Sequence, residues 1–476
     1  MTKRLPSLIR LNKEIQTRRV TDSLRFLIQR RSELTGFEDL EDLFLQMDAS
    51  PHPLLRGFEH HMVQVRRSIA RAFWARNIAV GNTVLEELLF QALKNSATAD
   101  VIGAVLKVIQ KKGLHRPGMV LYPLHSFGVL GIGLLDSIPK PRIRLEVHDA
   151  GLLVAPQSNS QEGILAFVDY AVKILCHGRP CNRDYLEDLL RHPVLSWLTR
   201  NPILALKTRS FSGTYYENQF FMLRKLRVAT SLLFMLAAVQ QRKPLGRLGF
   251  QFSSARVNNQ ETLDIKHYIV LETTPTKSGR LQVRRVPMNV AKAALAEISD
   301  LNIELNPRAW RRNRIAERVI RAAAKVEQGF LRFSLDDSRS LLDARARVFR
   351  KLLSSLWYFR RSFRPASDVP DPIVNLAIAF EVLLTDNYQR GRMFDVIQRR
   401  AGKALEGMPG HKRLQGVVGS VYRARGEVVH TGASNVDIDL SEARRAFVMA
   451  FVGVTERLFK LRKRSASPLA TILGDR

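Results

Sequence analysis

Residues Ile373–Thr385 read IVNLAIAFEVLLT, an apolar run in which Glu381 is the one charged residue. A run of this length without Gly or Pro reads as a buried helix and not as a strand. Further helical patterns follow. Met393–Leu405 is amphipathic, and Leu414–His430 carries Leu414, Val417, Val418 and Val421 on one stripe. Ser441–Lys460 opens with Ser441 at a cap position, followed three residues later by Arg444 and not by an acid, so no capping box forms. Leu341–Phe363 reads as a fifth helix. Short connections make such helices antiparallel neighbours. The chain is therefore expected to close with a helical bundle over residues 365–465, leaving 466–476 as a tail.

Charge lies mostly ahead of that bundle. The 476 residues include 75 Lys+Arg and 44 Asp+Glu, a formal net charge of +31. Arg308 to Arg364 holds sixteen basic residues against five acidic ones, whereas residues 365–476 hold seventeen against twelve. Most arginines in 307–364 lack an acid four residues away, so helix-surface ion pairing does not account for them. Arg308, Arg311, Arg312, Arg314, Arg318 and Arg321 are the expected nucleic-acid-binding set. A surplus of this kind favours a polyanionic partner, nucleic acid first and an anionic membrane surface as its main competitor.

The remaining chain divides into a basic helical region (1–140) and a mixed α/β region (141–306). In the first, Leu24, Leu27, Ile28 and Arg31 recur at helical spacing with Asp22 as a cap, and His52–Lys112 continues as helix. There Val63, Arg66, Arg67, Ala70, Arg71 and Trp74 set an apolar stripe beside a cationic one. The Gly- and Pro-containing passage Gly113–Pro141 interrupts it. In the second region, Arg142–Val147 and Gly151–Ala155 flank the turn signal His148-Asp149-Ala150 and read as a hairpin. Helices are expected over Gly163–Leu175, Arg183–Arg191 and Phe220–Gln240. Strands are expected over Leu248–Val257, Thr262–Glu272 and Arg280–Val286, with a turn at 277–279. The fold class is α+β, mostly α, with a C-terminal antiparallel helical bundle.

Several chemistries are excluded by composition. The two cysteines, Cys176 and Cys181, have no second pair for a zinc site and read as free thiols of a reducing cytoplasm. Glu59-His60-His61 lacks metallopeptidase spacing, and Gly131 and Gly133 precede no phosphate-binding Lys-Ser/Thr. Asp264, Glu272 and Lys277 are spaced too widely for a metal-dependent nuclease motif. No metal or cofactor is expected. Val228–Val239 is too short to cross a bilayer, and Val120–Ile138 is broken by polar residues and glycines, so no membrane partner is expected. The opening MTKRLPSLIRLNKEIQTRRV lacks the apolar core of a secretory signal.

One motif carries chemistry. Tyr422–Gly432 reads YRARGEVVHTG and sets Arg423 and Arg425 seven and five residues ahead of His430. Histidine exchanges protons near neutral pH, and a guanidinium offers fixed charge to a phosphate. On a straight helix, Arg423 lies about 20° from His430 and Arg425 about 140°. Arg425 can meet His430 only where the helix frays near Val429, or across two subunits. Thr431-Gly432 is a helix stop. A helix-end histidine is also an ordinary dipole partner.

This stretch, with the Glu381-bearing helix Ala377–Thr385 before it, resembles the HEPN superfamily and its ApeA-like branch over the last hundred or so residues. The resemblance implies a metal-independent endoribonuclease acting as a homodimer through the C-terminal bundle. On that picture His430 is the general acid or base, and Arg425 stabilises charge on the phosphoryl oxygens. Arg423, Glu427, Glu381 and Tyr422 support the site. Products would be a 2′,3′-cyclic phosphate and a 5′-hydroxyl, and relatives act in defence against phage or as toxins. Active members carry a polar residue just after the motif arginine, where this chain has Gly426. Glu381, on an apolar helix, is expected to pair with an arginine of the motif helix. RNA is the partner the resemblance implies, with DNA or a guide complex as a further contact. The alternatives are a non-catalytic RNA- or DNA-binding subunit of a larger nucleoprotein complex and a membrane-surface or protein-interaction scaffold.

Overall fold

The computed structural model describes residues 8–49, 57–76, 78, 80–95, 100–129, 145–147, 151–155, 161–191, 201–209, 215–240, 267–273, 280–288, 292–305, 313–334, 343–363, 370–387, 391–432 and 436–475. The fold is α+β and mostly α, as the pattern of the sequence implies.

Six helices come first: α1 (Leu8–Ile15), α2 (Arg18–Gln29), α3 (Leu40–Ala49), α4 (Phe58–Trp74), α5 (Asn82–Asn95) and α6 (Val101–Lys112). They enclose their own core, in which Leu27, Phe58, Ile69, Leu85, Phe90 and Ile102 are fully buried. Asp22 does not cap α2. The helix starts four residues earlier, so Asp22 lies within it and faces Arg25 at 3.6 Å. The stop of α6 is explicit: Gly113 adopts φ +69, and the Leu114 N–H donates to the Ile109 carbonyl at 3.0 Å. That turn sets His115 and Arg116 at the mouth of the sheet.

The sheet has six strands in the order β3 (Leu145–Val147), β4 (Leu152–Ala155), β5 (Ile203–Arg209), β1 (Pro117–Pro123), β6 (His267–Glu272) and β7 (Gln282–Pro287), all antiparallel neighbours. A second, two-stranded piece pairs β2 (His125–Val129) in parallel with β8 (Asp300–Leu305). Two expectations are corrected here. The Gly113–Pro141 passage does end the helical run, at Gly113, but it also supplies the central strand β1, whose Pro117 and Pro123 sit at the strand ends, where a missing N–H is tolerated. The sheet therefore begins before residue 141. Residues 203–209, given no element from sequence, form β5, which pairs with β1 at the centre of the sheet. Gly118 permits the close packing of β1 on β6, since a Cβ there would run into the Leu271 carbonyl. The expected turns at 148–150 and 277–279, and the expected strand Leu248–Val257, lie outside the described residues.

Both faces of the sheet are covered. Met119, Leu121, Ala205, Ile269 and Leu271 pack against α7 (Gln161–Leu175) and α8 (Arg183–Arg191). Val120, Tyr122, Leu204, Leu206 and Val270 share a core with α9 (Tyr215–Gln240). From Leu232 to Val239 every residue of α9 is buried, which explains the membrane-like composition of that run: it is apolar all round because protein surrounds it. A short helix α10 (Lys292–Ser299) precedes β8. Among the described residues no helix is long and apolar enough to cross a membrane.

The far side of α9 belongs to the bundle: α11 (Arg314–Ser334), α12 (Ala344–Arg361), α13 (Pro370–Leu384), α14 (Met393–Leu405), α15 (His411–Thr431), α16 (Leu440–Glu456) and α17 (Pro468–Leu473). A small cleft marks where the layers meet. It is lined by Leu152 and Leu206 of the sheet, Ala229 and Leu232 of α9, and Ala323 of α11. Lys225 and Glu327 pair there at 2.6 Å. The N-cap of α16 is Asp439, whose side chain accepts from the Glu442 N–H at 3.0 Å, and not Ser441; the earlier residue wins because it alone has extended backbone and a free carboxylate. Gly453 of α16 touches the Ala404 carbonyl of α14 so closely that no side chain fits between.

The expected tail is part of the bundle. Leu469 and Ile472 of α17 are fully buried. The Asp386 carboxylate accepts from the N–H groups of Leu469 (2.8 Å) and Ala470 (3.0 Å), capping α17 from across the fold. Arg400 joins Asp386 (3.1 Å) to Asp475 (2.6 Å) and also donates to the Leu384 carbonyl at 2.9 Å.

Candidate functional site: the motif helix

Helix α15 turns Leu414, Val418, Val421 and Ala424 into the bundle core. Tyr422 is half-buried against that core, with its ring 6.2 Å from Phe394.

The opposite side faces solvent. Arg423, Glu427 and His430 are all exposed, at i, i+4 and i+7, one above another on a helix face. Among the described residues none of the three side chains is engaged in a hydrogen bond or ion pair. Their nearest shared feature is the end of the helix itself, where Gly432 takes φ +67 and its N–H donates to the Val428 carbonyl at 3.2 Å. The Thr431 hydroxyl donates to the Glu427 carbonyl at 2.6 Å. The helix end is thus closed by bonds to the Glu427 and Val428 carbonyls.

That closure corrects one expectation. The helix does not fray near Val429, because the left-handed glycine stops it two residues after His430. Arg425 consequently stays about 140° round from His430 within the chain. It is half-buried, and its Nε is buried without a hydrogen-bond partner. Beside it runs a stripe of Tyr422, Gly426 and Val429. Val429 is 50% exposed, Phe394 of α14, which meets the Tyr422 ring, is 36% exposed, and a Cβ on Gly426 would meet nothing within 4 Å. The structure therefore brings Arg423, Glu427 and His430 together and sets Arg425 on an adjoining, partly apolar face.

Glu381 does not pair with the motif helix. It is half-buried on α13 and makes no ion pair among the described residues; access to water removes the need for a buried counter-charge. Its backbone carbonyl serves Thr385, whose hydroxyl donates to it at 2.7 Å.

Of the basic set, Arg314 and Arg321 are exposed on α11. Arg318, on the same stripe, is committed: it grips Glu456 with two hydrogen bonds of 2.7 Å each, and these hold the Glu456 carboxyl below the usual range. Arg308, Arg311 and Arg312 lie outside the described residues. Both α11 and α15 pack against α16.

Among the described residues no group of three or more His, Cys, Asp or Glu side chains is placed to hold a metal ion. His61 instead stacks on Phe26 at 4.1 Å and bonds Ser23 Oγ at 3.1 Å, a packing role. Both cysteines are free thiols. Sequence reading missed Arg179, Arg116 and Lys207, a cationic cluster beside the sheet. The only local signal was a lone arginine in the turn CHGRPC. No protein-family model, curated protein or solved structure matches this chain.

Proposed function

We propose that the C-terminal bundle is a HEPN-like domain that cleaves RNA without a metal, in a site completed by a second copy of the chain. One observation carries this reading: Arg423, Glu427 and His430 share an exposed face at the end of α15, and no described residue bonds to their side chains. A chain of net charge +31 supplies the attraction for the substrate.

In this mechanism His430 takes the proton from a ribose 2′-hydroxyl as that oxygen attacks the adjacent phosphorus. The P–O5′ bond breaks, and a protonated imidazole returns a proton to the leaving 5′ oxygen. Guanidinium groups stabilise the extra charge on the phosphoryl oxygens. Arg423 supplies this from the same face. Arg425 does so when a second α15 packs along the Tyr422–Gly426–Val429 stripe and brings the partner's histidine face beside it. The ends formed are a 2′,3′-cyclic phosphate and a 5′-hydroxyl. The resemblance that motivates this reading also suggests an effector role in defence against phage.

The test is RNA cleavage in EDTA with end-group analysis. His430→Ala is expected to slow cleavage by about 10²- to 10⁴-fold while leaving RNA affinity unchanged, and Arg425→Ala to slow it comparably. The second reading, a non-catalytic RNA-binding subunit, is favoured by the angular separation of Arg425 and His430 and by Gly426. It stands if wild-type protein binds RNA with a steep salt dependence but yields no cyclic-phosphate ends.

A further inference from the structure

Arg179 lies in the loop between α7 and α8 and is 8% exposed. All three of its guanidinium nitrogens are buried without a hydrogen-bond partner. No other guanidinium among the described residues is in that condition. Five N–H donors are thus withdrawn from water with nothing to receive them, and a buried charge tolerates this poorly.

The surroundings offer no relief. The charged group in electrostatic reach of Arg179 is Arg116, of the same sign, at the mouth of β1. The Cys176 thiol beside it is pushed up to about 12, chiefly by burial, and so carries no negative charge at neutral pH. Lys207 of β5 also acts on that thiol, and its Nζ lies 3.5 Å from His177 Nε2. His115 is held below its usual value by burial first, then by Arg116 and Arg179. Asp169 of α7 lies toward Cys181 and is bound to Arg183 at 3.0 Å, and Glu187 of α8 is bound to the same Arg183 at 3.0 Å.

Nor can the loop readily swing Arg179 into solvent. Before it, the Gly178 N–H donates to the Val172 carbonyl at 3.2 Å, and His177 holds a left-handed φ of +60. After it, the Leu281 N–H donates to Pro180 O at 2.8 Å, and the Asn182 N–H donates to Leu281 O at 3.2 Å. The backbone is therefore held on either side of Arg179. A rigid planar fork with every donor available, flanked by further cations, matches a tetrahedral oxyanion better than a single carboxylate.

We propose that Arg179, with Arg116 and Lys207 at its margin, binds a phosphoryl anion, either as inorganic phosphate or as the phosphate of a mononucleotide. This site is independent of the motif helix and of the RNase reading.

The experiment uses full-length protein, thermal melting and calorimetric titration with inorganic phosphate and with AMP, against KCl at matched ionic strength. Phosphate or AMP is expected to raise the melting temperature beyond the KCl control. Arg179→Met is expected to weaken that binding about tenfold or more. In phosphate-free buffer the same variant should melt no lower than wild type, because it removes an unpaired buried charge. Equal affinity for both probes assigns the site to free phosphate, and tighter AMP binding assigns it to a nucleotide. The proposal is overturned if neither probe binds wild type, or if Arg179→Met melts lower without anion and responds to phosphate as wild type does. Should that variant not fold, Arg116→Gln replaces it: several-fold weaker phosphate binding at an unchanged phosphate-free melting temperature supports the site, and unchanged binding overturns it.

Discussion

Asp386→Ala is expected to destabilise the protein by about 3 kcal/mol, measured by denaturant unfolding of the full chain. Asp386 and Arg400 are each only 7% exposed as side chains, and Asp475 closes the group at 7%. Removing Asp386 takes away one of the two carboxylates of Arg400 and both acceptors of the α17 amides at once. Asp386→Asn retains an acceptor for those amides and should recover part of the loss. The pH dependence has a definite sign. Hydrogen bonds from Arg399, and then from Arg400, hold the folded Asp475 carboxyl below the usual carboxylate range. Its contribution is therefore complete above the unfolded value of about 3.9 and disappears as pH falls through the lower folded value. Asp475→Asn should flatten that part of the acid limb. An acid limb identical in wild type and Asp475→Asn would contradict this assignment.

Gly453→Val is expected to cost about 3 kcal/mol or more, read from the same unfolding curves. Intrinsic helix propensity argues the other way, because glycine inside a helix is about 1 kcal/mol worse than alanine. The clash decides the sign here. A Cβ on Gly453 would strike the Ala404 carbonyl, a backbone atom of the neighbouring helix that cannot rotate aside. Even Gly453→Ala should destabilise. Gly426 is the matched control, since a Cβ there meets nothing within 4 Å. Gly426→Ala should therefore stabilise by about 0.5–1 kcal/mol. If both alanine variants shift stability in the same direction, the close approach of α14 and α16 is not what Gly453 serves.

The bundle was legible because its helices are long and periodic. Met393–Leu405 falls where α14 does, and the expected boundaries of α13 and α15 lie within three residues of those in the structure. The α7, α8, α9 and β7 assignments likewise rest on runs whose period is unambiguous. What failed was short or two-sided. Pro117–Pro123 and Ile203–Arg209 are covered on both faces, so they lack the alternation that marks a half-buried strand. Helix α17 spans six residues, too few for a period to declare itself. At the site, sequence spacing alone placed Arg423 and His430 on one face. It could not show that α15 runs unbroken past His430 and closes at Gly432, which depends on the backbone angle of that glycine. Arg179 was invisible for a different reason. Its importance lies in what fails to surround it, and a linear chain does not reveal which residues end up distant.

Helix α9 presents one flank to the sheet and the other to the bundle, within a single continuous core. Neither layer can come apart without stripping the helix that the other needs. The two should therefore melt in one cooperative step, while the N-terminal helices, built around separate interior contacts, are free to melt in another. Amide exchange followed through a thermal ramp would register this as matched protection across α9, β1 and α16, with α2 and α4 departing on their own schedule.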